Sequence, residues 1–281
     1  MASWTFVDGE WHDGNVPLFG ALTHAVWLSS VVFDGARAFD GLVPDLDRHA
    51  ARTVDSAHIL GLNPTHDAEQ ITGLAREGVR KFDAGAELYI RPMFFGQDGF
   101  VVPDPDSTKF ALVINERALP EDKGFKAGLS PFRRPSPETA PTDAKASCLY
   151  PNVARAVREA VGRGFDNAVT LDMNGNVAEF ATANLFLVKD GVAHTPVPNG
   201  SFLNGITRQR VIRLLRDSGV EVIERTLAWS DVHDADELFS TGNYAKVASC
   251  TQIEDRPLQP GPIAKKARDL YFDFARSQPL D

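Results

Sequence analysis

Three Asx-Gly pairs constrain this chain most: Asp8-Gly9, Asn174-Gly175 and Asp190-Gly191 each stand between two short apolar runs. Such a pair supplies the positive-φ turn that sends a strand back on itself. "WTFVDGEWH", "NAVTLDMNGNVAEF" and "TANLFLVKDGVAHTP" therefore read as antiparallel hairpins. Hairpins mixed with helical segments argue against uniform βαβ winding and predict an α+β or mixed α/β architecture in two lobes.

The other segments fit that scheme. "VVFDGARAFDGLVPDL" reads as strand, turn and strand. Ala51, Val54, Ala57 and Ile59, then Ile71, Leu74, Val79 and Phe82, give two helices their apolar faces. "AELYIRPMFFG" and "TKFALVINER" are β-rich, and "ALPEDKGFKAG" is polar with Gly and Pro, which marks a linker. The expected division is a smaller N-terminal α/β domain over 1–118, a linker over 119–128 and a larger domain over 129–281. In the larger domain Pro151 opens a helix faced by Val153, Val157 and Val161 and closed by Gly162 and Gly164. "GITRQRVIRLLRDSG" is a second helix, with Thr207 as N-cap and Gly219 as stop. "VEVIERTL" and "DELFSTGNYAKVASC" read as strands, and "AKKARDLYFDFARS" as a last helix.

Charge and composition exclude several roles. A formal charge of −9 opposes phosphate-backbone binding, so no nucleic-acid partner is expected. Neither a basic amphipathic segment nor a run approaching roughly 20 apolar residues is present, so no membrane partner is expected. "MASWTFVDGEWHDG" lacks a cationic start followed by an apolar run, and no secretion signal is expected. Cys148 and Cys250 lack metal-ligand spacing and the seven histidines lack paired spacing, which predicts a cytoplasmic protein without a metal.

Several residues suit chemistry. Lys145, in "PTDAKASCLYPNVARA", sits among small residues that offer little hydration, and Tyr150 follows within reach of the same surroundings. A nucleophilic lysine must be neutral, which partial burial favours. "LNGITRQR" joins a glycine to a helix start, a source of unpaired N–H groups for an anion, and "FSTGNYAK" is a turn of similar kind. Glu179 ends an alternating apolar run, where a buried carboxylate needs a cationic partner. Arg37, Arg52 and Arg91 carry forks that suit phosphates and carboxylates. Taken singly, each has an ordinary reading as a solvated charge, a packing aromatic, a capped helix or a turn.

In this order the pieces resemble the class-IV aminotransferases, the pyridoxal 5'-phosphate (PLP) enzymes of fold type IV, with the nearest match to the branched-chain amino acid aminotransferases. "VFDGARAF" resembles their Val-Phe-Glu-Gly-Ile-Arg-Ala-Tyr block, and "LYIRPMFF" their Tyr-Ile-Arg-Pro block. "AKASCLYPN" resembles the segment of the Schiff-base lysine. "VAEFATANLFLV" resembles the Glu-x-x-x-x-Asn-Leu/Ile-Phe signature, and "LNGITR" is similar to Leu-Pro-Gly-Ile-Thr-Arg. The blocks run from about Phe6 to the last helix.

The resemblance implies a two-domain fold like that of D-amino acid aminotransferase, with the active site between the domains. It implies that Lys145 forms the Schiff base and shuttles the proton. Glu179 pairs with the pyridine nitrogen, and Tyr150 bonds the phenolic oxygen. Arg52, Ile206 and Thr207 hold the phosphate, with Asn243 where a threonine often makes a further contact. Phe33, Arg37, Tyr89 and the backbone at Asn243 and Tyr244 belong to the substrate side, and Arg91 matches an arginine that receives glutamate's side-chain carboxylate. The family's tyrosine near the first-strand entrance is Leu28 here. The implied substrates are an apolar or branched-chain L-amino acid and a 2-oxo acid. The implied assembly is a homodimer or higher homo-oligomer, with "GQDGFVVPDP" reaching into the partner's site. D-amino acid and (R)-amine transaminases and aminodeoxychorismate lyases share the cofactor apparatus, and a non-catalytic binding protein shares the scaffold.

Overall fold

A computed structural model describes residues 2–280. The chain forms two compact units, Met1–Leu119 with Asp143–Cys148 and Ala275–Asp281, and Pro120–Thr142 with Leu149–Phe274. These limits differ from the expected domains in three respects, the first being that the chain from Ala275 onward joins the first unit. Phe125–Leu129, inside the expected linker, is a strand (β7) of the second unit's sheet. The segment around Lys145 joins the first unit, because Val32 pairs with Ala146 as an isolated bridge and Phe33 N–H donates to Lys145 O at 3.1 Å.

The first unit is built on a wholly antiparallel six-stranded sheet of β1 (Ser3–Val7), β2 (Glu10–Asp13), β3 (Val31–Phe33), β4 (Ala36–Ala38), β5 (Leu88–Gly96) and β6 (Thr108–Glu116). The Asp8-Gly9 turn reverses β1 into β2 with both residues at positive φ, 51° and 86°. Helix α1 (His24–Leu28) precedes β3, and helices α2 (Leu46–Ile59) and α3 (Ala68–Val79) cover one face of this sheet. Asp67 caps α3 through a reciprocal box with Gln70. Strand periodicity sorts β5 between the two faces: Leu88, Ile90 and Phe94 enter the core beneath the helices. Tyr89, Arg91 and Met93 therefore project from the opposite face, as does Phe33, which pairs with Met93. Ala144 and Ala146 are fully buried in the same core, so the intervening Lys145 is turned away from it.

The second unit carries a mixed nine-stranded sheet. Its order is β12 (Val222–Arg225), β11 (Val192–Pro196), β10 (Asn184–Lys189), β13 (Glu237–Gly242), β14 (Lys246–Ile253), β7, β8 (Asn167–Leu171) and β9 (Val177–Phe180), with β15 (Arg256–Pro257) on β14. Both faces of its centre are dry: Leu185 and Leu187 of β10 enter one cluster, Phe186 and Val188 the other. The former takes in Val232 of α6 (Trp229–His233), and the latter packs under α5 (Ile206–Asp217) and α7 (Pro262–Ala275), with Phe186 stacked on Phe239 at 4.9 Å. The Asp190-Gly191 hairpin forms as expected, with both residues at positive φ. The Asn174-Gly175 pair lies in a longer loop, where Asp172 Oδ1 accepts the N–H groups of Asn174 and Asn176, both at 2.9 Å.

Three helix readings need correction, the first being Ile59, which is exposed on α2 and not part of its apolar face. In α4 (Tyr150–Gly162) the fully buried positions are Ala156 and Ala160, which pack on Ala168 and Ala181; Val153 and Val157 pack against them half-buried, as expected, while Val161 is exposed. Thr207 is not the N-cap of α5. Gly205 is, and Thr207 lies one residue inside the first turn.

Candidate active site

Lys145 is a loop lysine with both of its peptide groups engaged. Its N–H donates to Ser56 Oγ on α2 at 3.1 Å, and its carbonyl accepts from Phe33 on β3. Its Nζ stands 5.0 Å from the centre of the Phe33 ring. The backbone therefore fixes where the amine begins, which a solvated loop lysine would not need.

Beside it, Asp34 ties the end of β3 to α2. It follows β3, is fully buried, and receives Arg52 on both oxygens, from Nε at 2.6 Å and Nη2 at 2.9 Å. His49 Nδ1 lies 2.7 Å from Asp34 Oδ1. Burial pushes the Asp34 carboxyl up, but the charges and hydrogen bonds of Arg52 and His49 prevail and hold it well below the usual carboxylate range. His49, Arg52 and Ser56 lie three and four residues apart on α2, so one helix face serves both the arginine clamp and Lys145. The bidentate grip fixes the guanidinium plane of Arg52 and hence the direction of its remaining edge.

On the sheet face away from the helices, Tyr89 lies between two guanidinium groups, Arg37 at 5.5 Å and Arg91 at 5.2 Å from its ring centre. Arg37 is fully buried and donates to the carbonyls of Arg117 and Ala118. Its fork is thus occupied with the backbone as the chain leaves β6.

The second unit holds the other assigned residues. Tyr150 starts α4 and is partly exposed. Glu179, on β9, is buried, 3.3 Å from Arg134 Nε, and accepts from Asn184 Nδ2 at 3.1 Å. Arg134 also donates to Ser201 O, and Asn184 to Leu203 O. Asn184 in turn abuts the start of α5: a Cβ at Gly205 would collide with its Oδ1. Glu179 and the α5 N-terminus, with Ile206 and Thr207 in its first turn, are thus joined through one asparagine. Asn184 pairs with Thr241 across β10 and β13, which brings the turn with Asn243 and Tyr244 to the same end of the sheet. Tyr244 is exposed at the tip of that turn.

The resemblance gave no role to Asp34, His49, Ser56, Arg134 or Asn184. Asp34 and Asn184 stand inside the quoted blocks, so the motifs contained them. Nothing local marked Arg134 or His49, whose partners are distant in sequence.

The family model for Amino-transferase class IV matches residues 31–253. A probable branched-chain-amino-acid aminotransferase of Aquifex aeolicus is 32% identical, over 92% of this chain and 87% of that protein. Among solved structures, an aminotransferase from Brucella abortus bound to PLP superposes with a TM-score of 0.97 at 52% identity, covering 98% of this chain and all of the other. A branched-chain aminotransferase from Thermoproteus uzoniensis with norvaline gives 0.92 at 29% identity, with complete coverage of both chains.

Proposed function

The chain belongs to the class IV aminotransferases, and on that premise we propose that Lys145 is the cofactor-linking amine of a PLP-dependent transaminase. It moves an amino group between a branched-chain or other apolar L-amino acid and a 2-oxo acid. The anchoring of Lys145 between Ser56 and Phe33 carries the reading, since it gives a loop lysine a defined place.

The donor set fits PLP. Glu179 is a buried carboxylate of the kind that a protonated pyridine nitrogen requires. The first turn of α5 has no side-chain cap, and Asn243 Nδ2 is buried without a hydrogen-bond partner among the described residues. Both present donors suited to a phosphate. When bound, PLP supplies an aldehyde for the amino group and an electron-withdrawing ring that makes the substrate's Cα proton acidic.

The residues then divide the work. Lys145 would hold the cofactor through its amine and, as a free amine, would take and return the substrate's Cα proton. Glu179 keeps the ring nitrogen protonated, with Arg134 and Asn184 holding the carboxylate in place. Tyr150 donates to the phenolic oxygen. Arg52, aimed by Asp34, joins Ile206, Thr207 and Asn243 on the phosphate. Tyr89 and the backbone at Asn243 and Tyr244 orient the substrate carboxylate, beside Phe33. Arg91 receives the side-chain carboxylate of a glutamate donor, and Arg37 braces Tyr89 from below.

Assays of L-leucine, D-alanine and (R)-1-phenylethylamine with 2-oxoglutarate or pyruvate test this. Turnover of L-leucine is expected, and activity on D-alanine alone contradicts it. We read the working form as a cytoplasmic homodimer. Phe100, Val101 and Val102 are each more than 70% exposed, and the Phe100 ring lies 5.9 Å from that of the exposed Trp27. A patch of that kind supports burial against a second copy. No helix of the described residues is long and apolar enough to cross a membrane, and both cysteines are free. Sedimentation at micromolar concentration should return a dimer; a monomer opposes it.

A further inference from the structure

The turn between β13 and β14 contains a buried lysine that the reading above does not use. Lys246 is 1% exposed, and its Nζ donates to Asn243 Oδ1 at 2.7 Å while lying 5.5 Å from the centre of the Tyr271 ring. It also takes a positive φ of 63°. For a residue with a Cβ this conformation costs about 1–2 kcal/mol.

An ammonium group donates and does not accept. The amide of Asn243 must therefore turn its oxygen to Lys246, and being planar it turns its nitrogen the other way. That nitrogen is buried and has no hydrogen-bond partner among the described residues. An orphaned buried donor costs about 1–3 kcal/mol and calls for an acceptor. Thr241 Oγ1, two residues earlier, is also buried without a partner. The turn lies at the α5 end of the sheet: Thr241 pairs with Asn184, which abuts Gly205, and Gly242 lies against Ala183.

We propose that Lys246 is a positioning residue, which turns Asn243 so that its N–H group faces an anionic oxygen bound at this turn. The acceptor is the cofactor phosphate or the substrate carboxylate. The inference rests on the proposed PLP reading and gives the asparagine its own means of presenting a donor. The neighbouring lysine adds positive charge behind that donor.

Asn243→Asp tests it, because the carboxylate keeps an acceptor for Lys246 while replacing the aimed N–H with an oxygen. Apo protein is titrated with PLP, with pyridoxal, which lacks the phosphate, and with inorganic phosphate read by melting temperature. If the acceptor is phosphate, PLP binds about tenfold more weakly or worse, roughly 1.4 kcal/mol, the stabilisation by inorganic phosphate disappears, and pyridoxal binding is unchanged. If PLP and phosphate bind as in wild type but KM for L-leucine rises about tenfold at saturating PLP, the acceptor is the substrate carboxylate. Lys246→Met should shift the same quantity as Asn243→Asp, and Lys246→Arg should restore part of it. Asn243→Asp matching wild type in every titration and in KM overturns the inference, as does a folded Lys246→Met that binds like wild type. A wild-type chain that takes up no PLP would sink the preceding reading instead; inorganic phosphate stabilising wild type, Asn243→Asp and Lys246→Met equally would then overturn this one.

Discussion

Asp34 grips Arg52 with both carboxylate oxygens, at 2.6 Å and 2.9 Å, while His49 closes on the same carboxylate. Breaking such a buried pair from one side leaves a charge without its counterpart and costs about 3–5 kcal/mol. Asp34→Asn should lower unfolding stability on that scale at pH 7. The aspartate protonates more readily unfolded than folded, so its contribution is complete above the unfolded carboxyl range, near 3.9. It declines as pH falls below that range. Urea titrations between pH 3 and 7 should show wild type losing its advantage over Asp34→Asn only at the acid end. A constant gap across the whole range contradicts the pairing.

Glu179 and Arg134 form the corresponding pair of the second unit, at 3.3 Å. Glu179→Gln should fold, bind PLP and lose about 100-fold or more in kcat, as expected when a group that stabilises developing charge is neutralised. Arg134→Met should cost less in a Glu179→Gln background than in wild type, by more than about 0.5 kcal/mol in a double-mutant cycle. Additive effects would remove Arg134 from the account.

Gly205→Ala isolates the asparagine that links Glu179 to α5. Gly205 has φ −58°, which any residue adopts, so the only obstacle is the collision with Asn184 Oδ1. The substitution should destabilise by about 1–3 kcal/mol. Asn184→Ala in the same chain should recover part of the loss in thermal melts, although Asn184 also supports Glu179.

The two thiols should behave differently. Burial pushes Cys250 up to about 12 and Cys148 upward as well, but Cys148 is exposed and Cys250 is not. A thiol reagent at pH 8 should label one cysteine per native chain, slowly, and two after denaturation. Rapid labelling of both in the native protein would contradict the buried position of Cys250.

Features set by neighbouring residues were legible in the sequence. The Asp8-Gly9 and Asp190-Gly191 turns reverse strands because the local φ preference suffices. Lys145, Glu179 and the α5 start were singled out through blocks whose order resembles that of the family. What was hidden depends on contacts distant in the chain. The Lys145 segment joins the first unit through β3 and Ser56, about 90 to 115 residues away, and no local pattern announces that pairing. The valine stripe of α4 was legible at Val153 and Val157 but missed Ala156 and Ala160, the small residues that fill its closest packing on Ala168. Thr207 had the chemistry of a cap, yet Asn184 occupies the space before the helix and leaves room only for glycine at the cap itself.

The most direct test of the account is chemical. Purified protein incubated with PLP should absorb in the visible range, lose that band on borohydride reduction, and yield a single labelled peptide with the adduct on Lys145. An adduct on any other lysine, or a chain that takes up no PLP at all, contradicts it.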